Sequence, residues 1–144
     1  MAVKSYRDGY ALSIGGGHTP GNKFQKRAEV EIDTRINHNK GLTASDEPVT
    51  DGRWHHLAVT YNGAEEILYV DGRPQQRVTH WQGRVPANSY DLTLGMNLVD
   101  PNPKFNEVGA SFDGLMDDPM IFNRALSADE VQTLFKSQGG VLAP

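Results

Sequence analysis

The dipeptide Asp71-Gly72 does most to restrict what this chain can become. It closes an apolar run, Glu66 to Val70, and it is one of the few pairs that adopt the two positive φ angles a type I′ hairpin demands. Upstream, Arg53 to Tyr61 alternates strictly. His55, Leu57, Val59 and Tyr61 point one way, and Trp54, His56, Ala58 and Thr60 the other. Asn62-Gly63 turns that strand into the next one, and Arg73 to His80 returns after the hairpin, with Pro74 marking an edge or a bulge. Successive strands joined by short turns commit this stretch to an antiparallel sheet.

The remainder extends the pattern. Gly9 to Ile14 is a strand closed by Gly15-Gly16-Gly17. Phe24 to Ile36 sets Ala28, Val30 and Ile32 against Glu29, Glu31, Asp33 and Arg35, which predicts a half-buried strand with one polar face. Leu42 to Ser45, Tyr90 to Met96 and Val108 to Phe122 supply further strands, with a long loop over 97–107. One helix is expected, from Ala128 to about Lys136. Ser127 is its N-cap, Glu130 completes a capping box, Leu126 and Val131 hold the staple positions, and Gly139-Gly140 ends it. At 144 residues the chain is read as a single domain, residues 1–144, of the all-β class: an antiparallel sandwich with one short C-terminal helix.

Charge and composition remove several functions. The net charge is −4 with both signs interspersed, so nucleic acid and an anionic membrane surface are poor partners. There are no cysteines, hence no disulfide framework and no thiolate metal site. No apolar run approaches bilayer length, so membrane insertion is not expected, and Met1 to Ser5 lacks the apolar region of a signal peptide.

Three segments carry a family resemblance: Asp51-Gly-Arg-Trp-His-His-Leu-Ala-Val-Thr-Tyr61, Val70-Asp71-Gly72, and Phe112-Asp-Gly-Leu-Met-Asp-Asp118 followed by Ile121-Phe-Asn-Arg-Ala-Leu-Ser127. In that order and spacing the chain resembles the laminin G-like branch of the concanavalin A-like jelly rolls, over roughly Lys4 to Phe135. The resemblance implies a jelly-roll β-sandwich and a non-catalytic module of an exported, extracellular or cell-surface protein that binds a glycan or an extracellular protein. Two rival functions stand beside it: a structural or adhesive module without a small-ligand site, and a glycoside hydrolase or lyase of the concanavalin A type. The chain departs from the family at Pro119-Met120. It also lacks the family's opening strand before Gly9, and is therefore read as a fragment of a larger protein. The closing strand, Ser111 to Phe122, is expected to lie uncovered and to recruit a second copy as an edge-paired homodimer, unless Met1 to Tyr6 or the C-terminal tail folds back over it.

The candidate site residues follow from residue type and position. Glu31 and Asp33 share a strand face with Glu29, and retaining glycosidases of the superfamily place an acid and a nucleophile about 5–5.5 Å apart on such a face. Ile36 occupies the place of the second catalytic glutamate, and a solvated strand face is the competing account. Trp81 and Tyr90 are candidate sugar-stacking rings, with Asn37 and His38 as polar loop contacts. Trp81 is expected to be exposed and Trp54 to be anchored in its strand. His55 and His56, being adjacent, point to opposite faces and cannot chelate one ion; one is expected to be packed and the other at the surface. The resemblance further implies calcium, with Asp117 and Asp113 as ligands. An aspartate bonding backbone amides at a sheet corner is the alternative there.

Overall fold

The computed structural model describes residues 2–3, 10–14, 27–32, 41–76, 79–80, 83–85, 92–95 and 112–140. Nine short strands and one helix occur among them. β1 (Ala2–Val3), β2 (Tyr10–Ile14), β3 (Ala28–Ile32), β4 (Gly41–Ala44) and β9 (Thr93–Leu94) form a five-stranded antiparallel sheet in the order β4-β3-β2-β1-β9. A second sheet is built on β6 (Glu65–Val70). β5 (Leu57–Tyr61) lies along one edge of it, and the short β7 (Arg73–Pro74) and β8 (Thr79–His80) share the other.

The two sheets enclose a core of Ala28, Val49 and Leu68, against which Tyr10, Leu12, Ile14, Leu57, Val59, Tyr61 and Val70 pack. Tyr10, Leu12 and Ile14 are alternate residues of β2, and Leu57, Val59 and Tyr61 share the β5 face that alternation grouped together. Leu68 is fully buried, which stabilises the fold by about 2 kcal/mol. The loop after β4 is pinned to the start of the neighbouring β3. Ser45 Oγ accepts from the Ala28 amide at 3.0 Å and donates to Glu47 O at 2.6 Å, while Arg27 Nη1 donates to the carbonyls of Ser45 and Asp46.

The hairpin forms as its sequence demands. Asp71 has φ 51° and Gly72 φ 73°, and Val70 pairs with Arg73 across a two-residue turn. Three expectations about extended segments need correction. β5 begins at Leu57, not Arg53, because the preceding residues are engaged by side-chain hydrogen bonds. The return strand predicted over Arg73 to His80 is broken into β7 and β8. Pro74 offers no amide, and the Gln76 amide donates to Asp46 Oδ2 at 3.0 Å rather than to β6. Most important, the described part of the predicted closing strand, 112–122, is neither strand nor helix. Asp118 adopts φ 46° and is followed by Pro119, and a left-handed residue next to one without an N–H cannot continue a ladder. β1, conversely, forms before Gly9, where the sequence reading placed no opening strand and offered only a folding back of Met1 to Tyr6 over the closing strand; it pairs with β2 and β9.

The helix, α1 (Ala128–Ser137), matches its signals. The Glu130 amide donates to Ser127 Oγ at 3.2 Å, and the Ser127 amide donates to Glu130 Oε2 at 2.8 Å. Arg124 grips the same carboxylate through both terminal nitrogens, at 2.6 and 2.8 Å. With the Ser127 amide adding to it, this holds Glu130 down at a pKa of about 2. Val131 and Phe135 are buried, one helical turn apart, and carry the helix onto the second sheet beside the hairpin turn.

Candidate functional site

The densest cluster of ionisable groups among the described residues gathers where the loop before β5 meets the Asp71-Gly72 turn. Asp51 opens that loop. Its Oδ1 accepts from the Arg53 amide at 3.0 Å, and its Oδ2 from Arg53 Nε and Nη2, each at 2.5 Å. Four residues on, His55 Nε2 donates to Asp51 Oδ1 at 3.0 Å, while Nδ1 donates to Asp71 Oδ2 at 2.9 Å. Asp71 also accepts from the His56 amide through Oδ1 at 2.9 Å and donates its own amide to His56 O at 2.8 Å. Two short chain segments are thereby stitched together through one imidazole.

An imidazole facing carboxylates on both nitrogens carries two protons. The His55 side chain is only 12% exposed, and burial by itself would lower its pKa. The hydrogen bonds to Asp71 and then Asp51, with their charges, outweigh that and raise it above the ordinary histidine value. Asp51 is held well below the usual carboxylate range, first by the Arg53 side chain, then by the Arg53 amide and His55. The chemical consequence is restrictive: neither nitrogen of His55 is free to take a proton from a substrate, so this histidine is not placed as a general base.

His56 points the other way and has the opposite character. Its ring packs on Phe135, centroids 5.8 Å apart at 47°, and its Nδ1 meets no hydrogen-bond partner among the described residues. Burial lowers its pKa, with the Asp71 charge opposing weakly, and the ring stays neutral. His56 is packed, as expected of one of the pair, but His55 is not the surface histidine expected of the other: its side chain is largely covered and is held by two aspartates that the sequence reading did not assign. The Asp51/His55 spacing and the choice of Asp rather than Asn in the turn were the available signals.

Trp54 corrects the sequence reading outright. It is 65% exposed, not anchored. It lies ahead of β5, in the loop braced by Asp51 and Asp71, so its ring stands off a rigid support instead of entering a sheet face. Among the other candidates, Asn37, His38, Trp81, Tyr90 and Asp33 lie outside the described residues. Glu31 sits in β3, paired with Ala11 and Leu42, and its side chain lies outside them as well. Asp113 and Asp117 are both exposed, and Asp117 Oδ1 accepts from the Asp118 amide at 2.9 Å, the backbone-bonding role weighed against calcium. No three His, Asp or Glu side chains among the described residues are arranged to hold a metal ion. Two aspartates alone fall short of the six or more oxygens that calcium takes.

Comparison with known proteins now bears on this geometry. A laminin G-type family model, described as the Concanavalin A-like lectin/glucanases superfamily, matches residues 4–132. No curated protein sequence matches significantly. Among solved structures, the chain is similar to an S-layer domain-containing protein (residues 221–444) from Clostridium thermocellum ATCC 27405. The identity is 21% and the TM-score 0.51, over 92% of this chain and 66% of that one. At that identity the likeness speaks for the fold alone, and the match spans just under two thirds of the solved chain. Antiparallel sheets, a type I′ hairpin at Asp71-Gly72 and a capped helix after residue 127 agree with the family match, and this chain belongs to the laminin G-like domains of the concanavalin A-like lectin/glucanases superfamily.

Proposed function

We propose that this domain is a non-catalytic recognition module of an exported, cell-surface protein, and that it takes a glycan through the face around Trp54. The observation that carries the reading is the exposure of Trp54 on a loop fixed at both ends by Asp51 and Asp71. A large ring left in water on a rigid mount suits the apolar face of a pyranose, and Asp51 and Arg53 lie beside it for hydroxyl contacts. The occupied nitrogens of His55 support binding over catalysis. Family membership supports the fold for such a role.

A glycan array, read with calcium and again with a chelator, tests the reading. Saturable binding that Trp54→Ala abolishes without loss of folding is expected. Absence of binding to any glycan favours the purely structural alternative. Hydrolysis of β-glucans that disappears in Glu31→Gln overturns the non-catalytic assignment.

A further inference from the structure

The segment joining β9 to α1 carries an apolar surface that the fold does not bury. Leu115 is 77% exposed and Ile121 65%, and Met116, Met120 and Phe122 are also exposed. The segment is anchored at its start, where the Phe112 amide donates to Gly95 O at 2.7 Å. Met116 Cε comes within 3.7 Å of the place a Cβ would occupy on Gly95. The patch is therefore continuous with β9, where Leu94 is exposed too. Together these side chains present on the order of 500–600 Å² of apolar surface, the upper end of what a soluble monomer carries.

We propose that this surface is the contact between two copies of the chain, joined about a two-fold axis at Asp118–Pro119. The order of residues around that point is self-complementary. An antiparallel arrangement centred there sets Leu115 against Phe122 of the second copy and Met116 against Ile121 of the second copy. A two-fold contact repeats each of these pairs. Two such patches bury roughly 1,200 Å², the lower end of a specific interface. Because Asp118 has φ 46° and Pro119 has no amide, the centre cannot form a continuous ladder. The contact is side-chain packing, not the shared sheet edge that the sequence suggested. Asp117 and Asp118 of both copies come near the axis, so added salt should tighten the dimer by screening their repulsion.

Light scattering and sedimentation across a concentration series test this on the whole chain. A dimer that forms below roughly 100 μM and tightens with salt is expected. Leu115→Lys and Phe122→Asp, each alone, should weaken it by at least about tenfold, with circular dichroism and melting unchanged. Mixing the Leu115→Lys chain with the Phe122→Asp chain should restore the dimer, since the register opposes the two altered positions. A wild-type chain still monomeric at that concentration overturns the proposal, whether the patch then serves another protein or none. A dimer indifferent to either substitution, or a mixture that fails to re-form it, overturns the stated register.

Discussion

Replacing Asp71 with asparagine separates charge from shape at the cluster around His55. Asparagine tolerates the φ of 51° that the turn imposes, so the hairpin survives. Its Oδ1 still accepts from the His56 amide, and what disappears is the carboxylate facing His55 Nδ1. A hydrogen bond to a charged group contributes about 1.5–3 kcal/mol, and the Asp71 side chain is 38% exposed, which places the loss near the lower end, about 1.5 kcal/mol. That corresponds to a fall in Tm of about 3–6 °C for a chain of this length. The loss should depend on pH. His55 has a raised folded pKa, so its contribution is full below the ordinary value near 6.5 and is lost as pH rises through the folded value. Asp51, with a depressed pKa, contributes above the ordinary carboxylate range and is lost only as pH falls below it, so it does not change between pH 5.5 and 9. The Asp71 charge also opposes the burial that lowers the His56 pKa, so its removal adds a penalty of the same sign, present at pH 5.5 and gone by pH 9. Urea midpoints of wild type and Asp71→Asn should therefore differ at pH 5.5 and converge toward pH 9. An equal loss at both pH values, or none at pH 5.5, refutes the ionic account of this cluster.

Two further substitutions probe the neighbouring elements. Gly72→Ala should cost about 2–4 kcal/mol in denaturant unfolding, because φ is 73° and the new Cβ would lie 2.9 Å from Phe135 Cδ1. Ser127→Ala should lower stability by about 1 kcal/mol through the lost helix cap, and an unchanged urea midpoint would count against that capping bond.

The parts of the fold legible in the sequence were those governed by a local rule. A type I′ turn needs two positive φ angles, a capping box needs serine and glutamate three apart, and alternation groups residues by face, so Asp71-Gly72, Ser127/Glu130 and the shared face of Leu57, Val59 and Tyr61 were all legible. The errors came where a distant group intervened. Gln76 gives its amide to Asp46 across the loop, which ends a strand that local propensity would continue. Asp71 and Asp51 compete for the residues before Leu57, which leaves Trp54 outside the sheet. Segment 112–122 has strand-like side chains, but the backbone at Asp118 and Pro119 refuses the ladder. The site was less legible than the fold, because the second carboxylate on His55 comes from Asp71 in another hairpin, and Asp51 alone, four residues away, does not specify a doubly protonated ring.

The two-residue turn at Asp71-Gly72 also decides how the domain comes apart. Asp71 holds the loop before β5 through three hydrogen bonds, and the bare Cα of Gly72 is the seat on which Phe135 rests. Opening the turn thus releases the loop, the hairpin and the C-terminal helix in one event. Hydrogen exchange should find the amides of β5, β6 and α1 protected to a common free energy, one cooperative block instead of a sheet with a helix that frays from it.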